Sequence, residues 1–266
     1  LRNVHRGLLL LGINLLETKN FISNFIWYLR CLISFKSQIK NNQKFKLKLF
    51  PILGENKMSA GSLKSHYFIQ DLYVSQLIFK EQPYKILDIG SRIDCFVAHI
   101  SSFREIDVVD IRPLNDKIKN INFKALDLIN DISDLKDKYD CVTCLHVIEH
   151  FGLGRYGDPI DFEGHLKGLK NIYEILKYKG TLYLSFPIGE NRIEFNAHRV
   201  FSIDYIKPVL ETYFIIEQFS YISDNGTLFE NVIIENGIRD NFNCSYGCGI
   251  FKLIKKIQPK INQNEI

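Results

Sequence analysis

The stretch Lys85-Ile86-Leu87-Asp88-Ile89-Gly90-Ser91-Arg92 decides how the rest of the chain is read. A short apolar run closed by an acid and a glycine reads as a buried strand that ends in a tight turn. Outward from it, apolar runs over 106–110, 121–126, 139–145, 181–186, 214–219 and 248–253 read as further strands. Helical spacing covers 66–80, 95–103, 163–177 and 202–210, with Pro83 ending the first of these and Gly180 capping the third. Strands alternating with helices predict an α/β fold, a Rossmann-like sheet with helices on both faces. Residues 223–246 are polar and rich in Gly and Asn, so no crossover helix separates the last two strands. That predicts an antiparallel edge on a parallel sheet.

Composition limits the class. A chain of 266 residues can bury a large core, and 20 Phe with 13 Tyr exclude disorder. With 16 Gly and 6 Cys, collagen-like and disulfide-dense scaffolds are excluded too. The cysteines, at 31, 95, 141, 144, 244 and 248, share no framework spacing, which predicts a reduced, cytoplasmic protein. Residues 7–16 and 20–29 are uncharged runs of ten, parted by Glu17 and Lys19. A membrane span needs roughly 20 apolar residues, so none is expected. No small-residue cleavage site follows residues 7–16, so a signal peptide is not expected either.

The formal charge of +4 is the sum of two unlike parts. Residues 1–50 carry nine Lys/Arg against the single acid Glu17, a net +8, and the other 216 residues a net −4. We therefore divide the chain into a basic helical extension (1–59), a catalytic domain (60–254) and a basic tail (255–266). Within the extension, residues 4–40 read as two helices, Phe21, Phe25, Tyr28, Leu32 and Phe35 recurring at three- and four-residue steps, and 44–50 as strand-like. Such an arm either docks on the anionic inner face of a membrane or packs on the domain as a cap. No nucleic-acid partner is expected.

The strand ends point to a cofactor. Ligands of open α/β sheets bind at the carboxyl ends of the strands. Gly90 allows close approach there, Asp110 lies 20 residues on, where an acid accepts from ribose hydroxyls, and Asp127 is placed to meet an adenine edge. A dinucleotide fold needs further glycines beside the pyrophosphate, whereas here Ser91, Arg92, Ile93, Asp94 and Cys95 follow Gly90. S-adenosyl-L-methionine (SAM) has no pyrophosphate, and its ammonium and sulfonium favour nearby acids such as Asp88. The alternative is that Asp88 and Asp110 merely cap strand ends.

The sequence also resembles the bacterial DUF268 proteins, a branch of the class I SAM-dependent methyltransferases. The resemblance is carried by Ala60-Gly61, His66-Tyr67-Phe68 with Gln70-Asp71, Asp88-Ile89-Gly90-Ser91-Arg92, Phe96-Val97-Ala98-His99 and Asp110-Ile111-Arg112-Pro113. The block 144–159, Phe186-Pro187-Ile188-Gly189, 192–201 and 246–251 complete it, over about 60–253. It implies the seven-stranded methyltransferase sheet and SAM held by Asp88, Gly90, Ser91, Asp110 and Asp127. Asp94 and Cys95 depart from the glycines expected there.

The chemistry-bearing run is His146-Val147-Ile148-Glu149-His150. In a helical turn His146, Glu149 and His150 share a face. With His198 they would hold a divalent metal, a spacing similar to that of small-RNA 2′-O-methyltransferases. Alternatively His150 or His146 is a metal-free general base, or Glu149-His150 is only a cap. The glycine-rich loop 152–159 brings Arg155, Tyr156 and Asp158. Arg192, Asn196 and Arg199 follow the next strand, and these six are candidate acceptor-binding residues, the arginines as clamps for a phosphate or carboxylate. Cys141 and Cys144 point to opposite faces of a strand, which argues against a shared zinc. The expectation is O-methylation of a sugar or sugar-derived small molecule, phosphorylated or nucleotide-linked, in surface-polysaccharide biosynthesis. The alternative is an inactive scaffold at the membrane surface.

Overall fold

The structure, a computed structural model, describes residues 15–38, 47–58 and 65–257. The chain divides into two compact units, residues 1–62 and 63–266. The first contains helix α1, Leu15–Gln38, 24 residues within the span 4–40 where two helices were expected. Residues 1–14 and 39–46 lie outside the described residues, as does Ala60-Gly61. Residues 47–50 form no strand. Lys57 Nζ reaches Asn24 Oδ1 at 2.9 Å and pins the following segment to α1. Many large apolar side chains of α1 are exposed, Phe21 and Ile33 among them. Among the described residues, no helix is long and apolar enough to cross a membrane.

The second unit is built on one sheet. Its strands are β1 (Ile86–Ile89), β2 (Ile106–Asp110), β3 (Ile121–Ala125), β4 (Tyr139–Leu145) and β5 (Leu176–Ile188). A small hairpin, β6 (Arg192–Glu194) with β7 (His198–Val200), stands apart from it. β8 (Phe214–Ile222), β9 (Leu228–Phe229) and β10 (Gly247–Lys255) complete the set. The order is β3-β2-β1-β4-β5-β10-β8-β9. The strands from β3 to β5 pair in parallel, and β10 runs antiparallel to both β5 and β8. The antiparallel strand is therefore interior, and β8 with the two-residue β9 forms the edge. Seven strands match the expectation and the eighth is this short hairpin partner. β10 also extends beyond the expected domain end, since Lys255 Nζ meets Asp137 Oδ1 at 2.9 Å and Lys256 N donates to Tyr213 O.

Period-two alternation builds a core on each side of the sheet. Cys141 and Leu145 pack with Tyr73, Val74 and Ile78 of α2 (His66–Glu81) and Ile100 of α3 (Ala98–Ser101). Val142 and Cys144 pack with Leu169 and Ile172 of α4 (Gly164–Ile175) and Ile206 and Leu210 of α5 (Ile203–Glu211). Cys141 and Cys144 thus lie on opposite faces, and all six cysteines are unpaired. Two local expectations fail. The helix over 95–103 begins instead as a five-residue π-turn, Ile93–Val97, with Cys95 out of helical geometry at φ −121°. Gly180 caps nothing, because α4 ends at Ile175 and the chain passes straight into β5, where buried Leu176 lies beside Tyr139.

Candidate active site

The carboxyl ends of β1, β2 and β4 open on a cleft of two adjoining lobes. The first is lined by Gly90, Asp110, Arg112, Asp127, Leu128 and Val147 among others. The second is lined by Tyr67, Gln70, Asp71, Ser91, Arg92 and Cys95. His146, His150, Gly90, Arg112 and Tyr156 border both. Gly90 is needed for two reasons: φ is +70°, and a Cβ there would stand 2.7 Å from Val147 Cγ1.

The candidate cofactor acids are not equivalent. Asp110 and Asp127 line the first lobe. Asp110 Oδ1 accepts from the backbone N–H of Arg112 at 2.8 Å, and the Arg112 guanidinium pairs with the carboxylate. Asp127 Oδ1 accepts from Ile129 N and Oδ2 from the Asn130 amide. Asp88, by contrast, is fully buried and borders neither lobe. Its carboxylate accepts from Thr143 Oγ1 at 2.7 Å and from Ser91 Oγ and N at 2.8 and 3.1 Å. It shapes the turn instead of meeting a ligand directly. Burial drives its carboxyl up to about 7, against the hydrogen bonds that favour its charge.

The run after β4 converges in part. His146 has φ 53°, uncommon for a residue with a Cβ. Its N–H is held by Ser185, at 3.0 Å from O and 3.1 Å from Oγ. Nδ1 of His146 lies 3.0 Å from Glu149 Oε1. Burial opposes a charge on this imidazole, but Cys248 and Glu149 outweigh it and raise its pKa well above the ordinary value. His150 goes the other way. Burial lowers its pKa, and Arg155 and His146 add to the effect against Glu149 and Ala197. Ala197 O, 2.7 Å from His150 Nδ1, can only accept, so Nδ1 carries the proton and Nε2 presents a lone pair. Arg155 donates to the same carbonyl at 2.9 Å. A protonated His146 beside the Glu149 carboxylate, next to a neutral His150, is an arrangement for proton transfer.

A metal does not fit these residues. Among the described residues no three His, Cys, Asp or Glu side chains form a group able to hold an ion. His146 Nδ1 and Glu149 Oε1 face each other, His150 Nδ1 is bonded to Ala197, and His198 Nε2 lies 3.3 Å from Glu194 Oε2, turned to its own hairpin. His198 joins the cluster only through ring contacts, its centroid 6.5 Å from that of His150.

Of the candidate acceptor residues, Arg155 and Tyr156 are at the cleft. The Tyr156 ring lies under two guanidiniums, Arg112 at 4.7 Å and Arg155 at 5.2 Å, with its edge to His150. Asp158 also borders the first lobe, but its carboxylate is occupied by the N–H groups of Gly152, Tyr156 and Gly154, so it shapes the loop. Arg199 is no clamp. It is buried, and its terminal nitrogens donate to the carbonyls of Phe151, Phe162, Glu149 and Asp161. Arg192 is bound to Glu194 and Ser245 O and, with Arg199, lines a separate cavity. Asn196 is exposed between β6 and β7 and lines neither lobe.

The residues that sequence reasoning missed come from α2. Gln70 Oε1 accepts from Ser185 Oγ, and its amide donates to buried Asp71 at 3.1 Å. The His66 and Tyr67 rings lie against His146, centroids 6.3 and 4.8 Å away. Tyr67, Gln70, Asp71, Val74 and Ile78 recur at helical spacing, so polar residues on a face marked as inward by Val74 and Ile78 were the available signal.

Solved structures that share this fold include methyltransferases. The N-methyltransferase NodS from Bradyrhizobium japonicum WM9, in complex with S-adenosyl-L-homocysteine (SAH), is 11% identical at a TM-score of 0.51, covering 85% of this chain and 98% of its own. The Burkholderia thailandensis 1,6-didemethyltoxoflavin-N1-methyltransferase, with bound 1,6-didemethyltoxoflavin and SAH, is 12% identical at 0.50, covering 71% and 80%. At such identities the likeness shows the fold. No curated protein matches the sequence. The model of a family described as "Caenorhabditis protein of unknown function, DUF268" matches residues 97–241, and that description gives no support to a bacterial origin. The match spans more than half of the chain, which therefore belongs to the DUF268 family and carries it on a class I methyltransferase fold.

Proposed function

We propose that this chain is a SAM-dependent methyltransferase that transfers the methyl group to a hydroxyl of a small polar acceptor. The observation that carries this reading is His150. It is a buried, neutral imidazole whose protonated nitrogen is fixed by Ala197 O, leaving Nε2 with its lone pair, 3.8 Å from Glu149 Oε1, on a side chain that borders both lobes. The fold supports a nucleoside in the first lobe, with Asp110 at the end of β2 where ribose hydroxyls are bound and Asp127 near the adenine edge. The absence of pyrophosphate-binding glycines after Gly90 favours SAM over a dinucleotide.

SAM supplies an electrophilic methyl group on a sulfonium. The protein's share is to fix the acceptor, exclude water and take its proton. In this reading His150 Nε2 removes the hydroxyl proton as the oxygen attacks, and the Glu149–His146 pair holds the charge balance beside it. Tyr156 and Arg155 form the acceptor side of the cleft. A sugar or sugar-derived acceptor is the class drawn from the family resemblance, and the polar rim suits it.

The test is to incubate the protein with methyl-tritiated SAM and paired sugars, one bearing hydroxyls alone and one an added amine. Label on hydroxyl oxygen, lost in His150→Gln, is expected. Label on the amine alone would overturn O-methylation.

A further inference from the structure

The second lobe holds a feature that the proposed chemistry does not use. Asp71, on α2, is 4% exposed and borders the lobe beside Ser91, Arg92 and Cys95. Asp88 nearby is fully buried, and the Asp71 carboxylate disfavours charge on it. The opposite charges that act on Asp71 are the imidazoles of His99 and His146, and burial outweighs them. Among the described residues the hydrogen bonds to Asp71 come from the neutral amide of Gln70 and the backbone N–H of Phe96. A second, independent observation also points to a ligand. His146 borders the lobe, is 6% exposed, and its buried Nε2 has no hydrogen-bond partner; on the protonated ring this is a free N–H donor, suited to a ligand that carries a carboxylate beside its cation. A buried carboxylate is normally paired or neutralised, and one that borders a cavity is completed by a cation arriving there.

We propose that Asp71 is the anchor for the α-ammonium of the amino-acid end of SAM, taking the place of the glycine-rich turn that Asp94 and Cys95 interrupt. This rests on the SAM reading above and adds a residue to it. Gln70 positions the carboxylate and ties it, through Ser185 Oγ, to the backbone of His146. Burial holds the Asp71 carboxyl up to about 6, so it loses its charge in mild acid and a bound ammonium would draw the proton off. The other titratable groups facing Asp71 are Asp88 from β1, Cys95 from the π-turn, His99 from α3 and His146 after β4.

The test compares two ligands on the full chain by calorimetry. SAH carries the amino-acid end, and 5′-methylthioadenosine shares its adenosine and thioether without that end. Asp71→Asn, nearly isosteric, is expected to weaken SAH at least tenfold and leave 5′-methylthioadenosine within twofold. Unaltered SAH affinity, or equal loss of both ligands, would overturn the assignment. The unsubstituted protein gives a check that needs no variant. Its SAH affinity should fall relative to 5′-methylthioadenosine as pH drops from 7.5 through 6, and a constant ratio would overturn the assignment as well. If neither ligand binds the unsubstituted protein, the SAM reading fails and this one with it.

Discussion

Two polar segments of this molecule look alike in sequence and are used differently. Residues 146–150 follow β4, and residues 191–199 follow β5 on the same side of the sheet. In the first, hydrogen-bonding capacity is left over inside the protein, since His146 Nε2 and Glu149 Oε2 are buried without partners. In the second it is largely spent. Arg199 commits both terminal nitrogens to four carbonyls of the β4–α4 connection and Arg192 is fixed by Glu194 and Ser245 O, so what is left over is Arg199 Nε and His198 Nε2, the latter beside the Glu194 carboxylate. Polar density does not separate a reacting centre from a scaffold. What separates them is whether the fold itself consumes the donors and acceptors.

The largest expected effect lies in the segment read as scaffold. Arg199→Met leaves those carbonyls without their donor and should cost about 3–5 kcal/mol in urea denaturation. A fully stable variant would break the comparison. His150→Gln belongs to the other class. Methyl transfer should fall by about 10²–10⁴ while stability stays within about 1 kcal/mol, because Arg155 still serves Ala197 O. If stability collapsed and the residual folded protein kept its rate, His150 would be scaffold too.

A smaller effect comes from His165 on α4, whose Nε2 lies 2.8 Å from Tyr205 Oη. Burial first, then Arg199, lowers its pKa to about 4, below the ordinary value near 6.5. The unfolded chain therefore binds this proton more readily, and stability should decline as pH falls from 6.5 towards 4. The loss is about 3 kcal/mol at most, and His165→Gln should remove it. An unchanged pH dependence in that variant would assign the loss to other groups. Smallest is Tyr156→Leu, which removes two cation–π contacts on an exposed ring and should change stability by about 0.5–1 kcal/mol.

Much of the fold could be read from the sequence because buried strands announce themselves. The runs 106–110 and 139–145 coincide with β2 and β4 residue for residue, since apolar character and period-two alternation are local properties. The interior place of β10 was not legible, because sheet order depends on pairing across long separations. In the site, Asp110, Asp127 and Gly90 were placed by their position at strand ends. Arg199 and Asp158 were misjudged for one reason. A side chain that binds backbone groups several residues away looks, in sequence, the same as one waiting for a ligand. Asp71 escaped because its cleft forms only when α2 packs on the sheet.

The central claim is that the cleft at the ends of β1, β2 and β4 is a SAM site. Calorimetric titration of the full chain with SAH tests it most directly. One saturable site per chain is expected, competed by SAM and weakened by Asp110→Ala. No binding of either SAH or SAM, or tight binding of a dinucleotide in their place, would contradict it.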